Sequence, residues 1–115
     1  MIDEYELEIY QTRFGKRPFE AWLNKLKDHQ GVAAIKIRLN RVKLGNLGDT
    51  KPVGNSVYEL KIKFGPGYRV YYSQIGKKIL LLLCGGDKRS QEKDIKIAKE
   101  YLQDFAIRRE PDVKK

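Results

Sequence analysis

Across positions 57–84 apolar residues recur at every second position, on both sides of a Gly65-Pro66-Gly67 reversal. This pattern restricts the fold more than any other feature, because a period of two puts neighbouring side chains on opposite faces, as a strand does and a helix does not. Tyr58, Leu60, Ile62 and Phe64 take one face, and Glu59, Lys61 and Lys63 take the other. After the reversal, Tyr68-Arg69-Val70-Tyr71-Tyr72 reads as the partner strand. Residues 78–84, nearly all Ile and Leu, read as a central strand covered on both faces, ended by Gly85-Gly86-Asp87.

The flanking segments supply one strand and three helices. Tyr5, Leu7 and Ile9 alternate with Glu4, Glu6 and Glu8, the pattern of a half-buried strand. Pro18 suits the first turn of a helix, where its missing N–H costs nothing, and Phe19, Trp22, Leu23 and Leu26 form that helix's apolar stripe. Gly31 breaks the pattern ahead of a second helix. Its buried stripe is Val32, Ile35, Leu39 and Val42, and Lys36, Arg38, Arg41 and Lys43 spread over the rest of its surface. Gly45, Gly48, Pro52 and Gly54 mark a loop over 45–56. Ser90 caps a last helix with Ile95, Ala98, Tyr101, Leu102 and Phe105 facing inward. The order β-α-α-β-β-β-α predicts an α+β domain, a small antiparallel-centred sheet with helices packed on one face. The opposite face is then free and carries Lys61 and Lys63. One domain over 1–107 and a charged tail over 108–115 account for the 115 residues.

Composition excludes several classes. With 41% hydrophobic residues the chain can build a core. Its longest apolar run, residues 79–84, falls far short of the about 20 residues a membrane helix needs. The acidic N-terminus does not read as a secretory signal. The single Cys84 rules out an internal disulfide and a thiolate zinc cage, which suits a reducing compartment and predicts a cytoplasmic protein. The net charge of +9 is unevenly placed. Residues 1–30 hold five Lys/Arg against six Asp/Glu, residues 91–115 hold seven against six, and residues 31–90 hold twelve against three. Charge concentrated in this way suits an anionic polymer, with nucleic acid first; ordinary solvated lysines and arginines fit the charge alone equally well.

The simplest hairpin register pairs Phe64 with Tyr68, which puts Lys63 opposite Arg69 and Lys61 opposite Tyr71. Lys61, Lys63, Arg69 and Tyr71 then share one face. Like charges set opposite one another on a sheet are destabilising, so the face needs either solvent or a bound anion. Lys88 and Arg89 follow the last strand, near the start of the final helix, whose N-terminus also favours anions. Gly85-Gly86 lacks the Gly-Lys-Ser/Thr of a phosphate loop. His29 stands alone among polar residues and is expected to be exposed, and Cys84 reads as a core residue. The acidic residues do not share a face of the meander, so a two-metal site is not indicated. Any catalysis would then run on Lys, Arg and Tyr without a metal or cofactor.

The segment Tyr-Glu-Leu-Lys-Ile-Lys-Phe-Gly-Pro-Gly-Tyr-Arg-Val-Tyr-Tyr, positions 58–72, resembles the signature of the RelE/ParE toxin superfamily. It is most similar to the HigB-like branch known as addiction module killer proteins, some of them phage-derived. Residues 81–88, Leu-Leu-Leu-Cys-Gly-Gly-Asp-Lys, with Gln91 and Asp94-Ile95, resemble that branch too. The resemblance spans roughly residues 3–105. It implies the toxin of a type II toxin–antitoxin system: a metal-independent, ribosome-dependent mRNA endonuclease that inhibits translation and is neutralised by an adjacently encoded, DNA-binding antitoxin. It also implies catalytic roles for Lys61, Lys63, Arg69 and Lys88 or Arg89. Some RelE-type enzymes carry a tyrosine near the start of the last helix; this chain has Gln91-Glu92-Lys93-Asp94-Ile95 there, and Tyr71 is the substitute it offers. Lys36, Arg38, Arg41 and Lys43 become candidates for gripping ribosomal RNA. Two other functions compete: a ParE-like toxin acting on DNA gyrase without nuclease chemistry, and a non-catalytic RNA-binding module.

Overall fold

The computed structural model of the protein describes residues 4–109. The elements run β1 (Glu6–Ile9), α1 (Pro18–Lys25), α2 (His29–Lys43), β2 (Thr50–Gly54), β3 (Val57–Ile62), β4 (Tyr68–Ile75), β5 (Ile79–Gly86), a 3-10 turn (Lys88–Ser90) and α3 (Gln91–Arg109). They build an α+β fold around a five-stranded sheet in the order β1-β5-β4-β3-β2. β1 runs parallel to β5 and every other pair is antiparallel. Among the described residues no helix is long and apolar enough to cross a membrane.

Alternation on β5 shows how the layers form. Leu80 and Leu82 join Phe19, Ile35, Leu39 and Val42 beneath α1 and α2. Leu81 and Leu83 join Tyr10, Tyr71 and Ala98 beneath α3. The expected packing of helices on one face therefore describes α1 and α2, while α3 covers the opposite face, which is not left free. A bulge in β5 shifts the register between Tyr71↔Cys84 and Tyr72↔Leu82, so Leu83 and Cys84 both turn toward α3.

Five features of the element boundaries differ from the sequence reading. The expected loop over 45–56 contains β2, an edge strand whose Pro52 needs no ladder donor and whose pairing bulges between Pro52 and Gly54. α2 starts at His29, with Gly31 inside its first turn. The cap is Asp28, which accepts from Gly31 N at 2.9 Å, and a Cβ on Gly31 would meet both Asp28 and the Tyr68 ring. β5 runs through Gly86, because Gly85 lies against the Trp22 ring and Gly86 against Asp94, leaving no room for side chains. Asp87, not Ser90, caps the turn into α3, accepting from Arg89 N and Ser90 N; Ser90 Oγ instead donates to Asp94 at 2.5 Å. α3 reaches Arg109, so the expected tail loses its first two residues to the helix, and residues 110–115 lie outside those described.

The end of α3 is clamped to the loop after β1. Asp104 accepts from the Tyr10 hydroxyl at 2.5 Å and from Arg108 Nη2 at 2.8 Å, and Arg108 Nη2 also donates to Gln11 O. The Arg108 and Tyr10 hydrogen bonds lower the Asp104 pKa to about 2. A carboxylate depressed in the folded state gives stability that is present above its unfolded value near ~3.9 and lost as pH falls through the folded value. Between pH 4 and pH 2 the Asp104→Asn protein is therefore expected to show a flatter fall in melting temperature than the wild type, by circular dichroism. Parallel acid slopes would contradict the clamp.

Candidate nucleic-acid interface

The β3–β4 hairpin closes two residues earlier than the simplest register predicts. Ile62 pairs with Tyr68, Lys61 with Arg69 and Glu59 with Tyr71, leaving residues 63–67 as a five-residue loop. A shift of two keeps every side chain on its face. Lys61, Arg69 and Tyr71 thus share a face as expected, with Lys61, not Lys63, opposite Arg69. Lys63 falls in the loop, exposed, 3.8 Å from Asp49 Oδ2.

Glu59 is the residue that sequence reasoning missed. It lies on the cationic face at 3% exposure. Its Oε2 accepts from the Tyr71 hydroxyl at 3.1 Å and from Gln91 Nε2 at 2.7 Å, and stands 3.5 Å from Arg69 Nε. Its Oε1 is 3.9 Å from Lys51 Nζ. One carboxylate thereby ties together β2, β3, β4 and the first residue of α3, and relieves the expected crowding of like charges. The available signal was parity: Glu59 precedes Lys61 by two and so must share its face.

Arg69 is buried to 5%. Its Nη1 donates to Gly67 O at 2.6 Å, while its buried Nε–H has no hydrogen-bond partner among the described residues. Gly67 lies between Arg69 and Lys88: a Cβ there would sit 3.1 Å from Arg69 Nη1 and 3.8 Å from Lys88 Cβ. Lys61, Arg69 and Lys88 thus come together at one end of the sheet. Arg89 stands on the surface, its side chain 90% exposed and 3.8 Å from Asp87. Tyr71 is fully buried, and burial followed by the Glu59 charge pushes its phenol well above the usual range. In this position its hydroxyl supports Glu59 and does not face solvent.

The hairpin is anchored from below. Tyr68 donates to Asp28 Oδ2 at 2.8 Å, so the carboxylate that caps α2 also fixes the start of β4. The Gly31 N–H first, and then that hydrogen bond, hold the Asp28 carboxyl below its ordinary pKa. Between α2 and the hairpin opens a cleft of about 430 Å³, with Arg38, Arg41, Asp49, Lys61 and Lys63 in its wall. Arg38 is half-buried and donates to the carbonyls of Asn46 and Leu47. Arg41 is exposed. Lys36 and Lys43 are exposed on α2 and do not line the cleft; Lys43 stands in the last helical turn, where cations complement the carbonyl ends. His29 is exposed and Cys84 buried, as expected.

The fold and this arrangement define a small α+β protein with a cationic recess where its central hairpin meets a helix. No protein-family model matches the chain. It belongs to the same family as an uncharacterized protein of Haemophilus influenzae, to which it is 45% identical over 89 residues, 77% of this chain and 90% of that protein.

Proposed function

We propose that this protein is the toxin of a type II toxin–antitoxin pair, a metal-independent endonuclease that cuts mRNA on the ribosome and so inhibits translation. The observation that carries the reading is the meeting of Lys61, Arg69 and Lys88, cations from three segments of the chain, at one sheet end. The likeness of residues 58–72 to the RelE/ParE signature supports it. In this reading a ribose 2′-OH attacks the adjacent phosphorus, the bond to the 5′-oxygen breaks, and the products are a 2′,3′-cyclic phosphate and a free 5′-OH. Lys63 or Lys61 takes the 2′-OH proton as general base. Lys88 faces the leaving oxygen. Arg69, fixed from beneath by Glu59 and Gly67, supplies the charge that stabilises the phosphorane oxygens.

Such a protein needs a cover for its cations, and an acidic surface on an antitoxin would complement them. The test is mapping of mRNA 5′ ends in cells after induction. The wild type is expected to create new ends inside reading frames. Lys63→Ala, whose exposed side chain leaves the fold intact, is expected to reduce them by about tenfold or more. Growth arrest with intact transcripts and a DNA-damage response would overturn the reading in favour of a gyrase poison. RNA binding with intact transcripts would leave a binding module.

A further inference from the structure

The cleft beside the hairpin is not uniformly polar. Along with its cations it is lined by Ile37, which is 54% exposed, and by Phe64, whose ring packs only partly on the core. Ile37 stands on the α2 face turned away from the buried stripe, where solvation would favour a polar residue. Phe64 occupies the loop between Lys63 and Gly65, two residues past the last paired position, Ile62. An apolar pair set among cations matches a ligand that is itself half apolar and half anionic. A single-stranded nucleic acid fits that description, because its unpaired bases expose π-faces beside the phosphates. A duplex does not, because its bases are stacked inside and only its backbone would meet the wall.

We propose that Ile37 and Phe64 form a platform for one unpaired RNA base, with Arg41 holding its phosphate. The platform lies outside the cluster that would act on the scissile bond. Lys61 lies between the two: it borders the cleft, where its backbone N–H donates to Asp49 O, while its side chain shares the face of Arg69, its partner across the ladder. The base held here is therefore that of a nucleotide next to the one cut, and the cleft tells single strands from duplexes. Arg38 takes no phosphate. It holds the loop carbonyls of Asn46 and Leu47 and so shapes the wall.

The proposal rests on the RNA-cutting reading but is tested by binding. The probe is a short single-stranded RNA made uncleavable by 2′-deoxy substitution and carrying a 2-aminopurine; the comparison is the same sequence as a duplex. Wild type is expected to prefer the single strand and to quench the 2-aminopurine. Phe64→Leu, which keeps apolar volume against the core, and Ile37→Ser, at a half-exposed position, are each expected to weaken single-strand binding about tenfold, with duplex binding unchanged. Phe64→Tyr is expected to retain both binding and quenching. Unchanged single-strand binding in Phe64→Leu and Ile37→Ser, or equal losses for both RNA forms, would overturn the platform. If wild type cuts transcripts while these variants bind normally, the platform falls and the nuclease reading stands. If the platform behaves as expected and transcripts stay intact, the nuclease reading falls and the platform stands.

Discussion

Arg69→Ala is expected to lower mRNA cleavage by about 10²–10³-fold, the effect of removing one preorganised donor from a developing oxyanion. The same substitution should also destabilise the fold, because it strips a partner from a carboxylate that is 3% exposed. Breaking a buried pair costs up to roughly 3–5 kcal/mol. The loss here should lie below that ceiling, since Glu59 keeps its hydrogen bonds from Tyr71 and Gln91 and its proximity to Lys51. The two effects separate in the double variant Arg69→Ala with Glu59→Gln. Its neutral amide no longer leaves a buried charge unpaired, so the denaturant midpoint should recover much of its wild-type value while cleavage stays lost. Cutting at the wild-type rate by Arg69→Ala would remove the arginine from the chemistry and leave the oxyanion-stabilising role to another cation. A double variant as unstable as the single would show that the pair acts through packing.

The second large effect concerns stability. Gly85 is pressed against the face of Trp22, so Gly85→Ala would drive a methyl into the ring. Overpacking of this kind costs about 1–3 kcal/mol. For a domain of this size the melting temperature should fall by about 4 °C for each kcal/mol. The cause is specific, so the remedy is too: combined with Trp22→Leu, the alanine should cost less than the sum of the two single changes, a coupling that a thermal double-variant cycle measures. Additive losses would mean that Trp22 is not what excludes the side chain.

The hairpin shows what periodicity could and could not reveal. Parity assigned Lys61, Arg69 and Tyr71 to one face, and that survives because the register slipped by an even number. The partner of Arg69 did not survive, because it depends on where the loop closes. Gly67 N bonds to Phe64 O and Phe64 N to Ile62 O, which curls the chain before Gly65-Pro66-Gly67 is reached. β2 was hidden by Pro52 and Gly54, breakers that an edge strand tolerates. The bulge at Leu83 was invisible because a run of leucines carries no phase. Glu59 was legible as a position and not as a participant. Its burial depends on α3 laying Gln91 over it, a contact between residues 32 apart that no local pattern encodes.

The topology also sets a timetable. β1 is synthesised ahead of its ladder partner β5, and from Ile9 to Ile79 seventy positions must be added before the pairing can form. At roughly 5–20 residues per second that is a delay of about 4–14 s. The apolar surface of Tyr71, Leu81 and Leu83 then waits longer still, until α3 has emerged to cover it. Gln91, which completes the shell around Glu59, belongs to that same last helix. A chain that has not yet reached Gln91 lacks the full shell around Glu59, so the order of translation itself delays completion of the cation cluster.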